Sequence, residues 1–195
     1  MRELNYTKAV IIVHGKSEKQ ICQYIKNKLR LKIEIYSDKN GEKAIQITSL
    51  KITLNNKIFK TFKSFTHEYD DIKLINNNKQ INSDFKLFII MDTDDCTEKQ
   101  KQSFINKEMF KSHWAYEYIV PIYNIPELET VLVMAKIPFE RKGNERKKEY
   151  VKIFPTDPKY EKNDNIQIEE LSNTLKKQDN TNLNVFLDFC TKFVK

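Results

Sequence analysis

The run Leu87-Phe88-Ile89-Ile90-Met91, apolar without interruption and followed at once by Asp92-Thr93-Asp94-Asp95, constrains this chain more than any other segment. A strand with one wet face alternates apolar and polar residues. A continuous apolar run instead marks a strand buried on both faces of a parallel sheet. Ala9-Val10-Ile11-Ile12-Val13 reads the same way and stops at His14-Gly15, a glycine expected to let the chain turn sharply. Ser17-Glu18-Lys19-Gln20 then offers a capping box, with Ser17 as N-cap and Gln20 at the third helical position. Ile21, Cys22, Ile25 and Leu29 continue at helical spacing, which predicts an amphipathic helix over 18–30. Residues 31–36 alternate as a strand does, completing a β-α-β unit.

The same two periods organise the next hundred residues. Leu50, Leu54, Ile58, Phe59, Phe62 and Phe65 predict helix within 45–75, in one or two pieces, and 76–84 reads as loop. A loose helical period covers 98–110. Residues 116–122 read as a strand, with Pro121 at its end or at a sheet edge. Asn124 to Lys136 reads as a helix in which Asn124 is the N-cap and Glu127 its capping-box partner. Strands alternating with helices predict an α/β fold, a mostly parallel sheet flanked by helices. After residue 138 the chain turns densely charged, and two short amphipathic helices are expected at 166–177 and 183–193. The expected organisation is an α/β core over 1–140 and a basic, mostly helical C-terminal extension over 141–195, packed on the core.

Composition excludes several alternatives. Only three glycines are present, too few for Gly-rich ligand loops or repeated tight hairpins. No apolar run approaches the roughly 18–20 residues that span a bilayer, and no membrane association is expected. The N-terminus lacks a signal-peptide core, and Cys22, Cys96 and Cys190 form neither a disulfide framework nor a zinc pattern. These features imply a reduced, cytoplasmic protein. The formal net charge of +7 favours polyanionic partners, although abundant Lys, Asn and Ile also mark a compositional bias. Arg141, Lys142, Arg146, Lys147 and Lys148, with Lys16, are candidate phosphate contacts, and Tyr150 and Phe154 could stack on bases. An ordinary solvated helix explains the same charged segment equally well.

Carboxylates carry the chemistry. In an extended chain Asp92 and Asp94 would point to one side, roughly 6.5 Å apart. The carboxyl end of a buried strand is where open α/β sheets place their ligands, and hard oxygen donors there suit Mg²⁺ or Mn²⁺. A solvated aspartate turn is the bland alternative. Gly15-Lys16-Ser17 is not a phosphate-binding P-loop, because the first glycine of that motif would fall at Val10. What remains is a strand-to-helix turn presenting His14 and Glu18 at the sheet edge of Asp92. Glu129 has no capping role to explain it.

Taken in order, apolar strand–His14-Gly15-Lys16-Ser17-Glu18, apolar strand–Asp92-x-Asp94, and Asn124-x-Pro126-x-Leu128-Glu129 resemble the TOPRIM domain, more narrowly the RloB-like and OLD-type nucleases of phage defence. The resemblance covers roughly residues 8–136. It implies a TOPRIM-type sheet and a divalent-metal-dependent nuclease, with Glu18, Asp92, Asp94 and Glu129 holding Mg²⁺ or Mn²⁺. It also implies nucleic acid as substrate and, since this chain carries no ATPase motif, a possible separate ATPase partner. The family's leading glutamate is His14 here. Histidine transfers protons near neutral pH but binds Mg²⁺ poorly. Two readings stay open: an active nuclease with His14 as acid/base beside Glu18, Asp92 and Asp94, or a degenerate module that binds nucleic acid or a partner protein.

Overall fold

In a computed structural model the described residues are 6–143, 150–155 and 165–193. The two apolar runs become β1 (Ala9–Val13) and, later in the chain, a strand over Lys86–Asp92, and they lie side by side in the middle of the sheet. Between them come α1 (Lys16–Lys28), β2 (Ile33–Tyr36), two short helices α2 (Leu50–Leu54) and α3 (Phe62–Glu68), and the strands β3 (Leu74–Ile75) and β4 (Gln80–Ile81). The Lys86–Asp92 strand is therefore β5. It is followed by α4 (Glu98–Ile105), β6 (Ile119–Asn124), α5 (Leu128–Met134), β7 (Glu140–Lys142), β8 (Tyr150–Lys152), α6 (Ile166–Leu175) and α7 (Leu183–Thr191).

The main sheet is four-stranded in the order β2-β1-β5-β6, and every pairing is parallel. Side-chain alternation sends Ala9, Ile11, Val13, Phe88 and Ile90 to one face and Val10, Ile12, Leu87, Ile89 and Met91 to the other. The first face is covered by residues of α1, α5, α6 and α7, including Ile25, Leu132, Leu175 and Phe186. The second is covered by Leu50, Phe59, Phe65, Phe104 and Phe110. Both runs are thus uniformly apolar because both of their faces are dry. Among the described residues no helix is long and apolar enough to cross a membrane. All three cysteines are free.

Several local expectations change. Ser17 does not cap α1. Gly15 is the N-cap, its N–H donating to Glu18 Oε2 at 2.9 Å, while Ser17 Oγ accepts from Val151 N at 3.1 Å and ties α1 to β8. Gly15 is extended (φ −150°), so it is not the sharp-turn glycine expected. Asn124 is not a helix cap either. It ends β6, and Glu127 is the N-cap of α5. The segment 76–84 holds the turn and second strand of the β3–β4 hairpin, whose tip puts Asn76, Asn77 and Asn78 at positive φ, a conformation Asn tolerates well. Pro121 lies inside β6, which is the sheet edge, so its missing N–H interrupts no ladder. The described parts of the charged segment form an antiparallel β7–β8 pair in place of a helix.

Candidate functional site

In the order β2-β1-β5-β6, chain connections leave β1 and β5 in opposite directions. Open α/β sheets form their ligand crevice at such a switch point, outside the carboxyl ends of the strands. His14 follows β1 there, its N–H donating to Ile90 O at 2.9 Å, and Asp92 is the last residue of β5. Glu18, in the first turn of α1, and Glu129, in the first turn of α5, complete the group.

Glu18 and Asp92 are 4% and 6% exposed, an extreme position for two carboxylates. Burial pushes Glu18 up to about 7, against hydrogen bonds from backbone N–H groups including that of Gly15, with the Glu129 charge adding to the rise. Burial also pushes Asp92 up to about 8. The Glu18 charge adds to this, and His14 and the Asn124 amide oppose it. These four side chains therefore share one electrostatic neighbourhood. Among the described residues their charges are incompletely compensated.

Asp92 is held from outside its own strand. Asn124 Nδ2 and Leu128 N–H both donate to Asp92 Oδ1 at 3.1 Å. Asn124 Oδ1 in turn accepts from Thr181 Oγ1 at 3.0 Å, which fixes the orientation of an amide with no solvent exposure. One oxygen of each carboxylate is thus committed to the fold, Oδ1 of Asp92 and Oε2 of Glu18.

Asp94 does not share the buried position of Asp92. The chain is extended only as far as Asp92 and then turns, so the two-residue alternation lapses and Asp94 is exposed. Asp95 takes the inward place. Both its carboxylate oxygens are buried without a hydrogen-bond partner, as is His14 Nδ1. Burial raises Asp95 as well, and the His14 charge again opposes it. No motif spacing pointed to Asp95, because only the geometry of the turn brings it round.

Lys16 opens α1 with its ammonium 5.3 Å from the centroid of the Tyr150 ring. Phe154 is not available to bases. It is buried and stacked on Tyr24 at 4.1 Å between centroids. Arg141 and Lys142 are exposed on β7, and Arg146, Lys147 and Lys148 lie outside the described residues.

Among the described residues no group of three or more His, Cys, Asp or Glu side chains is arranged to hold a metal ion. A protein-only cage is thus absent there. Mg²⁺ does not ask for one. It keeps several waters and is commonly bound through one or two carboxylates plus substrate phosphate. Two buried carboxylates with raised affinity for positive charge fit that requirement in chemistry.

Neither a family model nor a curated protein nor a solved structure matches the chain. What the site can do is therefore read from its own residues.

Proposed function

We propose that this chain is a divalent-cation-dependent phosphodiesterase acting on nucleic acid, a TOPRIM-type nuclease with residues 1–140 as its core and 141–195 as a basic, mostly helical extension packed on it. The observation that carries the proposal is the near-complete burial of Glu18 and Asp92 together at the switch point of a parallel sheet. Burial raises the pKa of both carboxylates, the Glu18 charge adds to the rise at Asp92, and such a pair favours a bound cation. Glu18 and Asp92 would hold Mg²⁺ or Mn²⁺ with the oxygens the fold leaves free, and Glu129 would add charge from the first turn of α5. The ion, when bound, polarises a phosphodiester and lowers the pKa of an attacking water. His14 stands within the field of Asp92 and Asp95 and would donate a proton to the leaving oxygen. The net charge of +7 suits a polyanionic substrate. A cytoplasmic role in phage defence, with a separate ATPase partner, belongs to the same reading and rests on the resemblance alone.

A second reading has its own support. With His14 in place of the family's leading glutamate and no three-donor group among the described residues, the module could bind nucleic acid or a partner protein without cutting. The experiment is cleavage of single- and double-stranded DNA and RNA with Mg²⁺ or Mn²⁺. Wild type would be compared with Asp92→Ala, His14→Ala and His14→Glu. A nuclease loses activity in Asp92→Ala and drops by roughly 10²-fold or more in His14→Ala, the usual worth of a positioned acid. An inert wild type that gains cleavage as His14→Glu decides for the degenerate module.

A further inference from the structure

The opposite end of the sheet carries a second charged feature of the other sign. A cleft of about 610 Å³ opens at the amino ends of β1, β2 and β5. Its volume falls within the range of small-molecule sites. Five basic side chains line it, Lys8, Arg30, Lys32, Lys73 and Lys192, against a single lining carboxylate, Asp84. Lys32 is neutralised by Asp71 at 2.6 Å. Among the described residues Lys8, Arg30, Lys73 and Lys192 make no ion pair.

Two of the unpaired lysines rest on aromatic rings of the same cleft. Lys8 Nζ lies 5.2 Å from the centroid of Phe193, and Lys73 Nζ 5.9 Å from that of Tyr6. Cation–π contacts outside a buried core are weaker than a charge-assisted bond to an anion. A phosphate would therefore draw the ammonium groups off the rings and leave ring surface for a flat partner. One factor acts against an anion here. The cleft also meets the carboxyl end of α1, the negative pole of its dipole. That pole is partly satisfied, since Leu31 N–H donates to Lys26 O at 3.1 Å. Four unpaired side-chain charges outweigh what remains.

We propose that this cleft binds a nucleotide, with phosphate on Lys8, Arg30, Lys73 and Lys192 and the base against Tyr6 or Phe193. The nucleotide is either free or one unit of a single strand, and the chemistry is shared. The inference does not rest on the nuclease reading, because it uses none of the residues at the carboxyl ends of the strands.

Calorimetric titration of the full chain at low salt tests it, with ADP, pyrophosphate, adenosine and a short oligothymidylate as probes. ADP or the oligonucleotide should bind, and which of them does identifies the source. Arg30→Glu and Lys73→Glu, both at exposed positions, should each weaken that binding roughly tenfold or more, as lost bonds to a charged group do. Tyr6→Leu combined with Phe193→Leu should weaken ADP relative to pyrophosphate. Three outcomes overturn the proposal: no binding of ADP or oligonucleotide, binding indifferent to both charge reversals in folded variants, or an ADP-to-pyrophosphate ratio that the ring substitutions leave unchanged.

Discussion

Asn124 donates to Asp92 Oδ1 from the last residue of the neighbouring strand, and its own carbonyl is held by a hydroxyl 57 residues further on, Thr181 Oγ1. The loop before α7 therefore reaches across the sheet edge to set the geometry of the most buried aspartate. Thr181 Oγ1 also bonds Tyr123 O at 2.9 Å and caps Leu183 N at 3.1 Å.

Thr181→Val keeps the shape and removes those bonds. It should lower stability by roughly 1–3 kcal/mol, the cost of stranding buried polar groups, and weaken any Mg²⁺-induced rise in Tm. Thermal melts with and without Mg²⁺ measure both. A variant as stable as wild type, with the same Mg²⁺ response, would remove Thr181 from the support of Asp92.

The paired carboxylates make stability fall as pH rises. Glu18 and Asp92 ionise in the unfolded chain near their ordinary values of 4.5 and 3.8, but only at about 7 and about 8 in the fold. Across that interval the folded state holds more protons, so its contribution to stability is lost from about pH 4 upward and levels off above about pH 8. In chelator, Asp92→Asn should flatten the decline in Tm between pH 5 and 8. Added Mg²⁺ should stabilise wild type more at pH 8 than at pH 5, by mass action on the ionised form. Parallel pH profiles for wild type and Asp92→Asn would count against the raised pair.

Asp94 should behave as a surface residue. Asp94→Ala is expected to change unfolding free energy by under ~0.5 kcal/mol and to spare cleavage that Asp92→Ala abolishes. Equal loss of cleavage in both variants would return Asp94 to the centre.

The glycines divide in the same manner. At Gly15 an added Cβ would meet only Glu18 Oε2 at 3.5 Å, an ordinary contact, so Gly15→Ala should be tolerated within ~0.5 kcal/mol. Gly41 sits at φ +85°, and a Cβ there would come within 3.2 Å of Lys16 Cα. Gly41→Ala should cost about 1–2 kcal/mol for the left-handed backbone alone, and more as the turn before α1 is displaced. Urea denaturation of the two variants should order them so.

The sequence by itself determined the two central strands of the parallel sheet and where each of them stops. Residues 9–13 and 87–91 are legible because a strand dry on both faces has no polar position to alternate with, and this holds whatever surrounds it. Asp92 and Glu18 were legible for a related reason: polar residues at the ends of apolar elements stand out locally. Tertiary structure alone decided which groups meet them. Asp95 rather than Asp94 has buried carboxylate oxygens because the chain turns after Asp92, and alternation carries no information once a strand has ended. Asn124, read locally as a helix cap, holds Asp92 because β6 runs parallel to β5 and ends in register with it. Thr181 and Gly41 lie far along the chain from the residues they support, and no local period links them. Hydrogen bonds and close backbone approaches form between whichever residues the packed layers bring together, and that packing, not spacing in the chain, built the surroundings of the carboxylates.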